Sequence, residues 1–508
     1  MVYYGALSKG CQRCRKRKVK CDQRQPGCLK CEKGKKPCPG YRDLADVLFR
    51  DERQRIKNRF YEKLHTERGV TPAANLQLCA THFTTMTEVH TPEHPTPSSV
   101  EIPLTQPLED RAANFFFAYY TTTGPPFCDT YQAWLAQAYL QESHSNLVRA
   151  TIQAVGMAAI SNVFNAPDVV LKAKDRYCQA LKATNLALRD PYQTTEDSTL
   201  IAILLLGLFE TVTFENSRSY HTWASHIEGA TALLHLRGQD QFSRELGIQL
   251  YIQFRNQILQ ACMQRGSRVP PALVEVTAEF ENSKFGKHYN SMRAGSLALV
   301  GFRIVNIRAE IKNQRILDPD KVWQLALDIN DDLHSWAILQ TKRAYYQTEA
   351  VENSTGKYFN GKRHIYTSEW GAQVWNNWRS MMILNSQVIL DYVDKQRFGD
   401  DFGKEMMRSD IISTIQSLSE EICISTSNLS GSPRASSMIW PLYIVSQEEV
   451  NSAEVRSWAA DQLHGIKISL GIKQAAVLAD DACPNWRELE LMSSFSSQPL
   501  NMPSNFPQ

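Results

Sequence analysis

Six of the twelve cysteines lie within 28 residues near the N-terminus, and their spacing constrains this chain more than any other feature. The spacing is C-x2-C-x6-C-x6-C-x2-C-x6-C, which is two tandem copies of C-x2-C-x6-C. The six residues are Cys11, Cys14, Cys21, Cys28, Cys31 and Cys38. The N-terminus lacks the apolar stretch of a secretory signal, so we expect a reducing compartment. There, this spacing indicates a metal site and not a disulfide framework.

The two repeats predict a site for two metal ions that share ligands. A C-x2-C turn brings two thiolates to one cation, and the x6 segment is long enough to return a third. Structural Zn²⁺ takes four ligands in a tetrahedron, so each metal either stays open or shares sulfurs with the other. Sharing satisfies both, because two bridging thiolates let six sulfurs complete two tetrahedra. We therefore expect the six cysteines to hold two zinc ions.

Charge is distributed unevenly along the chain. Residues 1–70 carry 20 Lys and Arg against 8 Asp and Glu, whereas the remainder carries 36 against 45. A basic segment on a mildly acidic body favours an acidic polymer as partner, and nucleic acid is the commonest one. Charge alone is a weak signal, because most charged runs are solvated faces.

The segment Cys11–Asp22, with the sequence CQRCRKRKVKCD, and the following Pro26-Gly27-Cys28 resemble the fungal binuclear zinc cluster family of transcription factors. The resemblance implies that Cys11 and Cys28 bridge the two zinc ions. It assigns the other ligands as Cys14 and Cys21 for one zinc, and Cys31 and Cys38 for the second. It also implies a small metal-stabilised module of two helix-loop repeats, over residues 1–42, that binds double-stranded DNA.

The basic run between Cys14 and Cys21 predicts how such a module recognises DNA. We expect a short helix over this stretch, fixed to the metal at both ends, with the basic side chains pointing outward. Such a helix fits the major groove, where Lys and Arg donate to guanine O6 and N7. The resemblance implies that Lys18 reads bases in CGG triplets, with Arg17 beside it. The side chains expected to hold the DNA backbone are Arg15, Arg17, Lys20 and Lys30.

Two other interpretations of this module stay open. The basic run also fits a nuclear-import signal or a non-specific grip on phosphates, and import is compatible with base reading. The module as a whole also fits a zinc-stabilised protein-interaction domain, which predicts no DNA selectivity. We expect a nuclear protein.

Residues 43–107 are expected to form a basic helical arm followed by a linker. Leu44 to Glu67 carries a partial apolar stripe, and in relatives of this family a short coiled coil at this place often pairs two subunits. Two imperfect heptads are too few to decide, and a basic arm along DNA fits as well, so a homodimer stays open. The Thr, Pro, His and Ser residues between Thr71 and Pro107 predict the linker.

Residues 108–492 are predicted to form a large all-α domain. Apolar residues recur at helical spacing, for example at Val148, Ile152, Val155 and Ala159. The run Leu200–Phe209 is apolar on every side, which indicates a helix at the centre of the domain. It is too short to span a membrane. Residues 493–508, rich in Ser, Pro and Asn, are expected to be a disordered tail that contacts the transcription machinery.

Two stretches of this domain resemble the second type of fungal-specific transcription factor domain. One runs from Tyr177 to Glu210, and the other from His226 to Leu234, ending at Arg237-Gly238, where a glycine is well placed to end a helix. The resemblance implies an all-α regulatory domain that mediates activation, autoinhibition or an effector response.

The sequence contains none of the catalytic motifs that would indicate an enzyme. H-E-x-x-H, a nucleophile elbow and phosphate-binding glycine loops are all missing. His221 and His226 are about 140° apart on a helix, so they cannot bind the same ligand from one helix face.

We therefore expect a zinc-dependent, sequence-specific regulator of RNA polymerase II transcription, with targets in a metabolic or secondary-metabolite pathway. The alternative is that the helical domain binds a small effector such as a sterol or a metabolite, which its apolar central helix and its aromatic content permit.

Overall fold

The computed structural model describes residues 11–17, 19–22, 24, 27–34, 38–39, 106–122, 131–132, 134–140, 145–215, 226, 229–293, 297–313, 318–341, 346–352, 357–367, 369–395 and 401–480. We call residues 11–39 the N-terminal module and residues 106–480 the helical body. The module contains two short helices, α1 (Gln12–Lys16) and α2 (Leu29–Lys33). Residues 40–105, which include most of the predicted arm and linker, and residues 493–508, the predicted tail, lie outside the described residues.

The described part of the helical body is almost entirely α-helical, which confirms the predicted fold class. Its helices are α3 (Leu108–Tyr120), α4 (Trp134–Leu140), α5 (Ser145–Val163), α6 (Pro167–Ala187), α7 (Asp197–Val212), α8 (Glu245–Arg265), α9 (Pro271–Asn282), α10 (Lys284–Arg293), α11 (Leu297–Lys312), α12 (Pro319–Thr341), α13 (Glu369–Lys395), α14 (Asp401–Ser425), α15 (Ile439–Gln447), α16 (Ala453–Leu470) and α17 (Lys473–Asp480). Residues 229–237 are also helical and end at Gly238, where φ is +57°. None of the described helices is both long and apolar enough to cross a membrane.

Two small sheets, which the sequence did not predict, interrupt the helices. Strand β1 (Thr121–Thr122) pairs in parallel with β2 (Tyr131–Gln132). Strands β3 (Tyr346–Ala350) and β4 (Lys362–Tyr366) form an antiparallel hairpin in which Tyr346 lies opposite Tyr366. Neither hairpin strand, with the sequences Tyr-Gln-Thr-Glu-Ala and Lys-Arg-His-Ile-Tyr, alternates apolar and polar residues, so the pattern that predicts a strand is missing from both.

Helix α7 lies at the centre of the body, as its apolar sequence predicts. Every residue from Thr199 to Gly207 is buried. The helix packs against α5, α6, α8 and α17. A single hydrophobic core extends from Ala112 to Leu478. Each leucine buried in this core contributes roughly 2 kcal/mol relative to an exposed one.

Hydrogen bonds join the N-terminal helices α3 and α5 to the C-terminal end of α16. The Tyr120 hydroxyl donates to the carbonyl of Leu470. Asn162 Nδ2 donates to the carbonyl oxygens of Val212, at 2.8 Å, and Gly471, at 2.7 Å. Gly471 has φ +72°, and a Cβ there would lie 2.7 Å from the carbonyl oxygen of Ala159. A glycine is therefore required where α16 ends against α5.

A buried polar cluster attaches the β3–β4 hairpin to α13 and α14. His364 and Arg379, each 1% exposed, face Glu421 of α14 at 3.2 Å and 3.3 Å. Arg379 Nη1 also donates to the Tyr366 hydroxyl at 2.8 Å, and the Tyr346 hydroxyl donates to Glu421 Oε2 at 3.1 Å. Burial raises the pKa of Glu421, but its contacts with His364 and Arg379 outweigh burial and bring that pKa to about 2. Glu421 is therefore ionised and compensates the buried guanidinium.

Candidate metal centre and nucleic-acid interface

The six cysteines of the N-terminal module converge into two groups of four. The Sγ atoms of Cys11, Cys14, Cys21 and Cys28 all lie within 4.8 Å of one another, and so do those of Cys11, Cys28, Cys31 and Cys38. Cys11 and Cys28 belong to both groups, and these are the two residues for which the resemblance implied a bridging role. The chain thus presents two four-sulfur sites that share an edge.

The distances between these sulfurs fit tetrahedral zinc. Cys11 Sγ lies 3.7 Å from the Sγ atoms of Cys28 and Cys31, and Cys14 Sγ lies 3.7 Å from that of Cys28. A tetrahedron with Zn–S bonds of about 2.3 Å has sulfurs about 3.8 Å apart. A disulfide would require about 2.05 Å, so none of these pairs is oxidised. Four soft thiolate donors at these separations suit Zn²⁺.

The two helices of the module start at the shared cysteines. The Cys14 N–H donates to Cys11 Sγ at 3.4 Å, and the Cys31 N–H donates to Cys28 Sγ at 3.4 Å. Each C-x2-C segment therefore forms the first turn of a helix that the shared sulfur caps. This local geometry explains why two residues separate the first two ligands in each repeat.

The sulfurs depend on a cation for their charge. Burial, together with the neighbouring thiols, raises the pKa of Cys31 to about 12 and also raises the pKa of Cys14. Burial raises the pKa of Cys28 as well. When bound, zinc holds such thiols as thiolates and supplies the structural cross-link between the two repeats.

The helix that begins the basic run is shorter than predicted. We expected a helix from Cys14 to Cys21, and this is wrong, because α1 begins at Gln12 and ends at Lys16. The Val19 N–H donates to the carbonyl of Cys14 at 3.0 Å. This bond reaches back one residue further than an α-helical hydrogen bond, which is typical of the end of a helix. The chain leaves the helix here because Cys21 has to return to the sulfur group.

The predicted DNA-contacting residues that the structure describes are on the surface. Arg17, Lys20 and Lys30 are exposed, with Arg17 and Lys20 beyond the end of α1 and Lys30 on α2. Lys18, the predicted base reader, lies outside the described residues, and so does the side chain of Arg15. Lys16 and Lys33, which were not predicted to contact DNA, are also exposed basic residues of this module.

Two comparisons with known families agree with this geometry. Residues 9–46 match the Fungal Zn(2)-Cys(6) binuclear cluster domain, and residues 111–476 match the Fungal specific transcription factor domain. The chain belongs to this fungal transcription factor family. The second match covers most of the helical body, so both resemblances are confirmed. The matched cluster domain is a zinc-binding domain, and both matched domains are those of transcription factors, not of an enzyme.

A curated relative matches a short stretch of the chain. White-opaque regulator 2 of Candida albicans is 58% identical to this family member over 38 residues, which is 8% of this chain and 8% of the relative. The likeness to that relative is therefore confined to a small part of its length. No solved structure matches this family member.

The histidine singled out in the helical body is a core residue. His226 is buried, and its Nε2 lies 3.3 Å from the Tyr177 hydroxyl, which donates to Glu210 at 2.6 Å. Burial lowers the pKa of His226 to about 4, so the ring is neutral at physiological pH. His221 lies outside the described residues.

Proposed function

We propose that this protein is a nuclear regulator of RNA polymerase II transcription whose N-terminal module binds two zinc ions and reads CGG-containing DNA. The observation that carries the proposal is the pair of four-sulfur groups sharing Cys11 and Cys28, with exposed basic residues beside them. Residues 1–40 hold 12 Lys and Arg against 2 Asp and Glu, which suits a polyanion. The proposed ligands are Cys11, Cys14, Cys21, Cys28, Cys31 and Cys38.

Base reading and backbone contact are assigned to different side chains. Lys18 is proposed to donate to guanine, and Arg17, Lys20 and Lys30 are proposed to contact phosphates with Arg15. The proposed organisation is a DNA-binding module over residues 1–42, an arm and linker over 43–107, a regulatory domain over 108–492 and a tail after it. The targets are proposed to lie in a metabolic or secondary-metabolite pathway.

The test is DNA binding by the full-length, zinc-loaded protein. Duplexes with single CGG triplets, paired CGG triplets at several spacings and scrambled triplets are compared over a salt series. We expect a preference for CGG that chelation abolishes, and the preferred spacing reports whether two subunits bind together. Equal binding to CGG and scrambled duplexes would refute base reading and favour a non-specific grip or an interaction module.

A pair of lysine variants separates base reading from charge. Lys18→Ala is expected to cost about 1–3 kcal/mol on CGG sites and to relax specificity. Lys33→Ala removes the same charge from the exposed end of α2 and serves as the matched control. It is expected to weaken binding to CGG and scrambled duplexes equally. The assignment of Lys18 fails if the two variants behave alike.

A second candidate function, binding of a small effector by the helical body, has support from α12. Trp336 Nε1 and Gln340 Oε1 are buried one helical turn apart, and within the described structure neither makes a hydrogen bond. Buried polar atoms normally have partners, and a hydroxyl group can accept a hydrogen bond from an indole N–H or donate one to an amide oxygen. Saturable binding of ergosterol to the full-length protein, weakened in Gln340→Leu, would support this candidate, and no binding would count against a sterol effector.

A further inference from the structure

The segment between the two cysteine repeats is bound to α2 by a residue that is not a metal ligand. Asp22 Oδ2 accepts a hydrogen bond from the Leu29 N–H at 3.1 Å. Asp22 directly follows Cys21, and Leu29 directly follows Cys28. The carboxylate therefore joins the end of the first repeat to the start of the second, next to a sulfur shared by both four-sulfur groups.

This hydrogen bond completes the N-terminus of α2. The first N–H groups of a helix have no partners within the helix. Cys28 Sγ accepts from the Cys31 N–H, and Asp22 accepts from the Leu29 N–H. Two acceptors, one sulfur and one carboxylate, thus fix the turn that carries Cys28 and Cys31.

A second contact holds the same loop. Arg24 Nε donates to the carbonyl of Gly27 at 3.4 Å, and Arg24 Nη2 pairs with Glu32 of α2. Both charged side chains are more than half exposed, so this pair is expected to contribute little to stability. It offers a matched control for Asp22, because Glu32 is a carboxylate on the same small surface.

The two repeats are unequal at this position. Aligning C-x2-C-x6-C of the first repeat with that of the second places Asp22 opposite Pro39. Proline has no side-chain acceptor and cannot form the same hydrogen bond. Only the residue after the first repeat can therefore hydrogen-bond to the other repeat. The two repeats have the same ligand spacing but differ in the hydrogen bonds that hold the ligands in place.

We propose that Asp22 is a positioning residue of the metal centre, which holds the start of α2 so that Cys28 and Cys31 meet the sulfurs of the first repeat. It acts through α2, since it belongs to neither four-sulfur group. The hydrogen-bonded surroundings of a metal site commonly set the affinity of its ligands in this way. This inference rests on the proposed binding of two zinc ions and adds a residue on which their retention depends.

The test measures zinc release from the full-length, zinc-loaded protein to the chromogenic chelator 4-(2-pyridylazo)resorcinol. Asp22→Ala is expected to release zinc about five-fold faster than wild type, the size of effect that loss of a helix cap produces. Asp22→Asn keeps an acceptor oxygen and is expected to stay within about two-fold of wild type. Glu32→Gln is expected to match wild type.

Two results would overturn the positioning role. Release from Asp22→Ala at the wild-type rate would show that the hydrogen bond does not support the ligands. Release from Asp22→Asn as fast as from Asp22→Ala would show that charge, and not the acceptor, matters. Cobalt substitution provides the second measurement. The thiolate-to-cobalt absorption is expected to be weakened in Asp22→Ala and to return to the wild-type level in Asp22→Asn. A wild-type chain that bound no zinc would instead refute the proposed function itself.

Discussion

The N-terminal module and the helical body are stabilised by different physical means. The buried core of the module consists of Cys11, Cys14, Cys28 and Cys31, with Cys21 and Cys38 packed against them. The core of the body is a continuous apolar cluster from Ala112 to Leu478. A module of this size cannot bury enough apolar surface, so the metal makes its fold, whereas the body folds by burial. One chain therefore contains a region that needs a ligand to fold and a region that does not.

Removing zinc tests this difference most severely. Chelation with EDTA is expected to remove a binding free energy of about 10–16 kcal/mol, unfold the module and abolish DNA binding. The helical signal in circular dichroism at 222 nm is expected to change little, because nearly all described helical residues belong to the body. Loss of most of that signal on chelation would show that the body also needs zinc to fold.

Buried and exposed charge pairs are expected to contribute very differently to the stability of the body. Arg379→Ala removes the guanidinium that compensates Glu421 and leaves His364 and two tyrosines around an uncompensated carboxylate. This change is expected to lower the free energy of unfolding by about 4 kcal/mol. Arg363→Ala removes an arginine of the same hairpin region whose pair with Glu349 is exposed, and is expected to cost at most about 1 kcal/mol. Urea unfolding followed by circular dichroism measures both. Similar losses for the two variants would contradict a special role for the buried cluster.

The apolar core is tested at the centre of α7. Leu205 is fully buried, and Leu205→Ala is expected to lower the free energy of unfolding of the body by about 3 kcal/mol. Leu186→Ala on α6 removes an exposed side chain and is expected to have little effect. Zinc content is expected to be unchanged in both. A Leu205→Ala protein that lost its zinc would show that the two regions do not fold independently.

Acid is expected to weaken the body through its buried histidine. The pKa of His226 is about 4 in the folded protein, below its ordinary value, so the unfolded chain binds the proton more readily. The stability from the neutral ring is complete above about pH 6.5 and is lost as the pH falls, by about 2 kcal/mol at pH 5. Burial also lowers the pKa of His364, which adds a loss of the same sign.

Histidine variants assign the acid effect. Urea midpoints at pH 7 and pH 5 are expected to differ less in His226→Gln than in wild type. His235→Gln, in which the replaced side chain is more than half exposed, is expected to behave as wild type. An unchanged pH dependence in His226→Gln would mean that other groups carry the acid sensitivity.

The difference between the two regions also decided which features the sequence could predict. In the module, all ligands lie within 28 residues. Their spacing predicted two metal sites with shared sulfurs, and the family resemblance implied the grouping of sulfurs that the structure contains. The extent of α1 was mispredicted, because the need for Cys21 to reach the sulfurs overrides the helical tendency of the basic run. In the body, apolar periodicity predicted helices and the buried position of α7.

Ligand spacing and hydrophobic periodicity are local properties, so the sequence alone predicted the metal centre, the basic surface and the helical class of the body. The β3–β4 hairpin and its buried cluster depend instead on long-range packing. Arg379 and Glu421 are 42 residues apart, and each is an ordinary charged residue of a helix until folding brings them together. The contact of Asp22 with the start of α2 is likewise a product of the fold. The sequence shows only an aspartate after a cysteine, and its partner is identified once the second repeat is placed beside it. Contacts between residues distant in sequence are set by tertiary packing, and a local sequence pattern does not predict them.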